Sequence, residues 1–151
     1  MNNLILEKSK HLKYYTFLDT IFKEIPEFQK YIYFISNLEY NSCYDEWLYK
    51  DNFIISGNEL FEIITKEEIQ FIWGVFSAFT EQLNDIGPVI PFADGNSYFW
   101  KDVPRPQATG AKFEIVCWDS SCTLFIGVPD KISVKLKDIY SDIKDLNKEL
   151  Q

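Results

Sequence analysis

Few side chains in this sequence have the type and spacing that acid–base or nucleophilic chemistry needs. The 151-residue chain contains one histidine, His11, which stands beside Lys8, Lys10 and Lys13. A nucleophilic site needs a Ser, Cys or Thr held against a base and an orienting group, and we interpret His11 instead as a surface residue. The sequence also lacks the Gly-x-Ser-x-Gly, Walker and Gly-x-Gly-x-x-Gly motifs. It therefore predicts no catalytic residue.

Carboxylates near predicted turns are the remaining candidates for acid–base chemistry. Asp94, Asp102 and Asp119 stand near such turns, and Trp100 and Trp118 are close to them in sequence. Carbohydrate sites combine Asp and Trp in this way, whereas a turn Asp more simply bonds its own backbone. One alternative is therefore a small-ligand-binding or carboxylate-based enzyme module that uses the loop 84–110. Its pocket would be lined by Asp94, Trp100, Trp118 and Asp119.

The three cysteines, Cys43, Cys117 and Cys122, are an odd number. A secreted disulfide scaffold usually has an even and denser set, so we expect buried or half-buried thiols in a reducing cytoplasm. Cys117 and Cys122 flank a predicted hairpin turn, so the two could lie across from each other. Without a fourth Cys or a nearby His, the sequence predicts no zinc site. We expect no metal and no other cofactor.

The charge balance indicates which partners the chain can attract. The net charge is −8, from 23 acidic and 15 basic residues, and the one arginine is Arg105. Nucleic-acid binding depends on a basic face that neutralises phosphates, and anionic membranes attract the same residues. We therefore expect neither nucleic acid nor membrane as a partner. A basic protein is favoured, because opposite potentials speed association.

Length and hydropathy predict one domain spanning residues 1–151. Leu4, Ile5 and Leu6 are followed by Glu7, which makes this apolar run too short for a signal peptide. No apolar run approaches the ~18 residues of a membrane span. The sequence therefore predicts a cytoplasmic protein.

The first third of the chain has the spacing of helices followed by a hairpin. Apolar residues recur at three and four positions in residues 14–25 and again in 28–38, which predicts two helices joined at Pro26. Aromatic and β-branched runs at 43–49 and 52–56 predict a hairpin. A short helix capped by Ser or Asn is expected at 59–64.

The remaining elements complete an α+β pattern. Residues 69–79 fit either a helix or a strand, but Gly74 and apolar residues on both faces favour a central strand. A hairpin is expected at 113–126, a short strand at 98–100 and a last helix at 132–146. We predict a two-layer α+β fold with a mostly antiparallel sheet of four to six strands, N-terminal helices and a C-terminal helix.

Most of the net charge lies between Glu39 and Glu68. This stretch has eight acidic and two basic residues, a net charge of −6, and it contains several Tyr and Trp residues. Tyr and Trp frequently dominate the energy of protein interfaces. The alternative is a solvated hairpin and helix whose aromatic rings point inward. The predicted partner-binding residues are Tyr40, Tyr44, Asp45, Glu46, Trp47, Tyr49, Asp51, Glu59 and Glu62.

Three segments, 72–79 (IWGVFSAF), 92–96 (FADGN) and 114–121 (EIVCWDSS), carry a resemblance to a known kind of protein. Together with Asp145–Leu146–Asn147 they resemble a family of small acidic bacterial proteins, of the kind found as immunity proteins in polymorphic toxin loci. The resemblance covers about residues 69–150 and transfers no functional residues. It implies an inhibitor that binds a cognate toxin.

The sequence thus leaves three hypotheses about function. The first is a protein-binding inhibitor, an immunity protein that occludes a basic toxin domain. The second is the ligand or enzyme module at 84–110. The third is a structural subunit that oligomerises through exposed aromatic residues.

Overall fold

The computed structural model describes residues 1–7, 16–83 and 87–151. Its elements are β1 (Asn2–Leu6), α1 (Leu18–Glu24), a 3₁₀ helix (Pro26–Lys30), β2 (Ile32–Asn41), β3 (Asn52–Ser56), α2 (Gly57–Lys66), β4 (Gln70–Phe79), a second 3₁₀ helix (Ser97–Trp100), β5 (Phe113–Trp118), β6 (Cys122–Val128), α3 (Asp130–Ile139), β7 (Lys144–Asp145) and α4 (Leu146–Glu149). The strands form one open antiparallel sheet of seven strands in the order β3-β2-β4-β5-β6-β1-β7. The α+β class is confirmed, with more strands than the predicted four to six.

One face of the sheet, which we call the helical face, packs against α1, α2, α3 and the first 3₁₀ helix. Aromatic rings fill much of this core. Phe22, Phe28 and Phe113 are fully buried. The ring centroid of Phe28 lies 5.4 Å from that of Phe22 and 5.7 Å from that of Phe113. Offset and edge-to-face pairs of this kind add to the stabilisation that burial itself provides.

The opposite face, which we call the loop face, is covered by α4 and by the irregular segment 87–111. An irregular segment has backbone groups that need partners, and polar side chains on the strands supply several of them. The Ser36 hydroxyl donates to the carbonyl of Pro91 at 2.7 Å. The Asn3 amide donates to the carbonyl of Pro104 at 2.8 Å.

Glu114 makes the most extensive of these connections. Its Oε2 accepts from the Ser77 hydroxyl at 2.6 Å and from the Ala108 N–H at 3.1 Å, and its Oε1 accepts from the Gln107 N–H at 2.6 Å. The side chain is fully buried. Burial raises the pKa of the Glu114 carboxyl, and the three hydrogen bonds oppose that shift. One buried carboxyl thus fastens the covering segment to the centre of the sheet.

The helix predicted at 28–38 is wrong, because the chain leaves the first 3₁₀ helix and enters β2. Residues 33–35 are buried in succession, as in a strand that is covered on both faces. Asn37 then adopts a positive φ of 52°, where the register between β2 and β4 shifts. Its Oδ1 accepts from the Ala93 N–H at 2.8 Å. This bulge and the polar residues beside it interrupt the alternation that would have indicated a strand.

The hairpin predicted from 43–49 and 52–56 is wrong in its first strand. β3 pairs with β2, and residues 46–49 form a turn within the connection 42–51. The aromatic residues of 43–49 resemble a strand in composition. Their role is to fill the core from a turn, as described below for Trp47.

Three further elements differ from the expectations. β1 was not predicted, and residues 98–100 belong to a 3₁₀ helix rather than a strand. The helix expected at 132–146 ends at Ile139, and β7 and α4 follow it. The first predicted helix corresponds to α1, while its first residues and His11 lie outside the described residues.

Three predicted elements are confirmed. Residues 70–79 form the central strand β4. Ser56 caps α2 by accepting from the Glu59 N–H at 3.2 Å. β5 and β6 form the predicted hairpin. Within the part of the chain that the structure describes, no helix has the length and apolar character needed to cross a membrane.

Gly57 sets the close packing between the start of α2 and the chain that leads into β2. A Cβ at this position would lie 2.5 Å from the Gln29 carbonyl oxygen and 2.7 Å from that of Tyr31. These are backbone atoms, so we expect Gly57→Ala to lower the free energy of unfolding by about 1–3 kcal/mol. Chemical denaturation measures the change. Asn58→Ala, at the exposed next residue, is the matched control and should stay within about 0.5 kcal/mol of wild type.

The raised pKa of Glu114 should appear in the pH dependence of stability. The folded state holds the Glu114 proton more tightly than the unfolded chain, so this group's contribution to the free energy of unfolding falls as the pH rises above the ordinary value of 4.5. Glu114→Gln removes that contribution. The stability difference, wild type minus variant, should therefore be largest in acid and shrink towards neutral pH. Urea denaturation at several pH values measures it, and parallel curves for the two proteins would contradict the assignment.

Candidate functional site

The acidic residues of α2 face solvent because the helix buries its other side. Leu60 and Ile64 are buried against the helical face, whereas Glu59 and Glu62 are exposed. This division follows from helical periodicity, since residues three and four apart share one side. Two of the predicted partner-binding carboxylates therefore lie together on the outer side of α2.

Trp47 holds the connection 42–51 against the core. Its side chain is 4% exposed. The indole stacks on Phe53 with ring centroids 5.4 Å apart, and the rings of Tyr44 and Tyr40 lie edge-on at 5.0 and 5.8 Å. Trp47 therefore points into the core, as in the alternative in which the aromatic rings of this stretch face inward. The prediction that Trp47 contacts a partner directly is wrong for the free chain, because the ring is not exposed. Tyr40 and Tyr44 are half-buried beside it.

The remaining predicted residues of this connection lie at the surface. Asp45, Glu46 and Asp51 are exposed, and Tyr49 is 95% exposed. Leu48, which was not predicted, is 55% exposed. These exposed side chains therefore lie on a connection whose central residue, Trp47, is anchored in the core.

An acidic cleft lies between this connection and α2. Its volume is about 330 Å³, and it is lined by Tyr44, Glu46, Glu59, Glu62, Ile63, Lys66 and Glu67. The Tyr44 hydroxyl donates to Glu46 Oε2 at 3.1 Å. Burial raises the pKa of Tyr44 to about 12, and the carboxylates of Glu46 and Glu59 contribute to the same shift. The cleft can therefore accept a cationic side chain, because four carboxylates outnumber its single lysine.

A second cleft, of about 600 Å³, shares Glu67 with the acidic cleft. It is lined by Phe17, Asn41, Ser42, Cys43, Glu67, Glu68 and Gln70. Cys43 is exposed, so the expectation of a buried or half-buried thiol is wrong for this residue. The surface around residues 42–68 is therefore concave as well as acidic.

Cys117 and Cys122 are buried, but they do not lie across from each other. Cys117 pairs with Thr123 and faces the helical side, whereas Cys122 pairs with Trp118 and faces the loop side. Both thiols are free. Burial raises the pKa of Cys117 well above its usual range and that of Cys122 to about 11. Neither is a nucleophile near neutral pH, since the thiolate is the reactive form.

The residues of the alternative ligand pocket are only partly brought together. The rings of Trp100 and Trp118 pack edge to face with centroids 5.1 Å apart, and the ring of Trp73 also packs edge to face with that of Trp118 at 5.0 Å. Asp94 and Asp119 are exposed residues of two turns. The indoles thus fill space against one another.

No group of three or more His, Cys, Asp or Glu residues is placed to hold a metal ion within residues 1–7, 16–83 and 87–151. Comparisons of the chain with protein family models, with curated proteins and with solved structures gave no match. The resemblance to immunity proteins therefore stays a prediction.

We expect truncation to alanine to reduce stability strongly at Trp47 and very little at Tyr49. Trp47→Ala removes a buried indole and should lower the free energy of unfolding by about 3–5 kcal/mol. Tyr49→Ala removes an exposed ring and should change it by no more than about 0.5 kcal/mol. Denaturant unfolding of both variants, followed by far-ultraviolet circular dichroism, measures this contrast. Equal losses would contradict the inward placement of Trp47.

Proposed function

We propose that this chain is an inhibitor that binds a basic protein through the acidic cleft and the carboxylates around it. The observation that carries the proposal is the convergence of Glu46, Glu59, Glu62 and Glu67 on one concave surface beside Tyr44. A Lys or Arg side chain of a partner fits such a surface by charge and by hydrogen bonding. Exposed Leu48 and Tyr49 nearby supply apolar contact area.

The class of partner that fits best is a toxin domain with a basic surface, and the chain would act as its immunity protein. Inhibition of this kind needs no chemistry from the inhibitor, because covering the partner's site is sufficient. The acidic composition supports this proposal, as does the resemblance of residues 69–150 to immunity proteins. A positively charged surface is typical of proteins that act on nucleic acid, so nucleases are the first toxin domains to test.

The decisive experiment uses the toxin domains encoded beside the gene for this chain. Each purified domain is titrated with the chain by isothermal calorimetry, and each is expressed in cells with and without it. Binding in the nanomolar range together with rescue of growth is the expected result. If no neighbouring domain binds and co-expression rescues no cell, the proposal is wrong.

The carboxylates at the surface of residues 42–51 should act mainly on the association rate. Reversal to Lys at Asp45, Glu46 and Asp51 should slow association at least tenfold at low salt, because long-range attraction is lost. The dissociation rate should change less. Raising the salt from about 0.01 M to about 1 M shortens the Debye length from about 30 Å to about 3 Å and should slow the wild type in the same way.

Stopped-flow mixing with the partner at three ionic strengths measures both effects. The matched control is Asp138→Lys, since Asp138 is also exposed but lies on α3. A single reversal there should have a much smaller effect on association than a single reversal at Asp45. Association rates that ignore both salt and charge reversal would remove the electrostatic basis of the proposal.

A further inference from the structure

β3 forms one edge of the open sheet, and its outer side is unpaired. The strand is the first in the sheet order, with β2 as its only neighbour. Among the described residues, no backbone hydrogen bond other than the ladder with β2 reaches residues 52–55. The carbonyl of Ser56, the N-cap residue of α2, accepts the first hydrogen bond of that helix. An unpaired edge presents a row of N–H and C=O groups that another extended chain can use.

The ladder with β2 defines which residues of β3 offer those groups. The Gly57 N–H donates to the Tyr31 carbonyl at 2.7 Å, directly beyond the Ile32↔Ser56 pair. Hydrogen-bonded and non-hydrogen-bonded pairs alternate along an antiparallel ladder. Ile55 and Phe53 therefore bond β2, and the backbone groups of Asn52, Ile54 and Ser56 point outward.

This edge lacks the features with which proteins usually protect an open strand. Residues 52–56 (NFIIS) include no proline and no charged side chain. Ile54 is 48% exposed. Leu48 and Tyr49 are also exposed, and they lie in sequence between Trp47 and Lys50, both of which contact the Phe53 ring. Charges, prolines or bulges would normally block strand addition at such a place.

The charges around the strand determine what can pair with it. Asp51 precedes β3 and Glu59 follows it in the first turn of α2, and both are exposed. A second copy of the chain would bring two stretches of net charge −6 together. An extended segment with basic residues would instead meet Glu59 at one end of the strand and Asp51, beside Lys50, at the other. Charge complementarity therefore favours a basic segment over self-pairing.

We propose that an extended basic segment of the partner adds to β3 as an eighth strand of the sheet. The inference rests on the proposed function and specifies how the partner is held. Main-chain hydrogen bonds to Asn52, to Ile54 and to the N–H of Ser56 provide affinity, as in other cases of strand addition. Ile54 offers an apolar contact on the exposed face, and Asp51 and Glu59 select for basic residues.

The first test uses a defined probe, a capped peptide Lys-Val-Thr-Val-Thr-Val-Lys, and its counterpart with Glu in place of both Lys. Amide hydrogen exchange of the labelled protein is followed by NMR with millimolar peptide. Exchange at Asn52, Ile54 and Ser56 should slow at least threefold with the basic peptide and not with the acidic one. Unchanged exchange at these three amides, or equal slowing by both peptides, would overturn the inference.

The second test separates the backbone from the side chain at Ile54. Ile54→Pro removes an outward N–H without removing a donor to β2, a position that tolerates proline in edge strands. Ile54→Thr keeps the N–H and is the matched control. The proline variant should abolish the exchange protection, whereas the threonine variant should retain it, and thermal unfolding checks that both variants fold. Equal protection of both variants would overturn the inference.

The same variants keep this inference distinct from the proposed function. A basic toxin domain that loses affinity on charge reversal but binds Ile54→Pro as wild type would leave the function intact and overturn strand addition. If the peptide protects β3 but no toxin domain binds the chain, strand addition would stand and the proposed function would be wrong. Light scattering at several protein concentrations tests self-pairing, and a dimer lost in Ile54→Pro would overturn the choice of a basic partner.

Discussion

The structure depends on the need to cover both faces of a sheet whose central strands are apolar on each side. The helical face meets this need in the usual way, with helices that carry their own backbone hydrogen bonds. The loop face is covered largely by irregular chain, whose N–H and C=O groups would be costly to bury without partners. Ser36, Asn37, Ser77, Glu114 and Asn3 are polar residues on the strands that serve this face, and all except Ser77 bond the covering segment directly. Ser77 acts through Glu114. These five polar residues therefore have a structural explanation.

The acidic surface depends on the core of the helical face, on the other side of the sheet from the loop face. Trp47 fixes the connection 42–51, and Gly57 allows α2 to sit close to the chain before β2. The carboxylates that line the acidic cleft are thus attached to two elements with fixed positions. A binding surface that is ordered before the partner arrives loses less conformational entropy on association. For the proposed partner, such order would favour tight binding from a modest number of contacts.

Sequence predictions were correct where the signal is local and wrong where the structure depends on contacts between residues far apart in sequence. The strand β4, the capped helix α2 and the β5–β6 hairpin have local signals, and the structure confirms them. β2 was mistaken for a helix because Ser36 and Asn37 serve the loop face and break the alternation. The pairing of β3 with β2 across a ten-residue connection had no local signal. The same limit applies to the candidate site, since exposure of carboxylates follows from composition but the inward position of Trp47 depends on Phe53 and Phe71.

Charge beside an open strand can serve both protection and recognition. Lys or Pro within an edge strand prevents pairing with any chain, whereas residues 52–56 leave the backbone accessible and place carboxylates at either end. Copies of a protein with a net charge of −8 repel one another, and the repulsion is strongest where the acidic stretch lies. This repulsion disfavours pairing of β3 between two copies of the chain, while the backbone groups of the strand stay accessible. A basic extended segment experiences the reverse of that potential, so the same carboxylates that keep copies apart would draw such a partner to the strand.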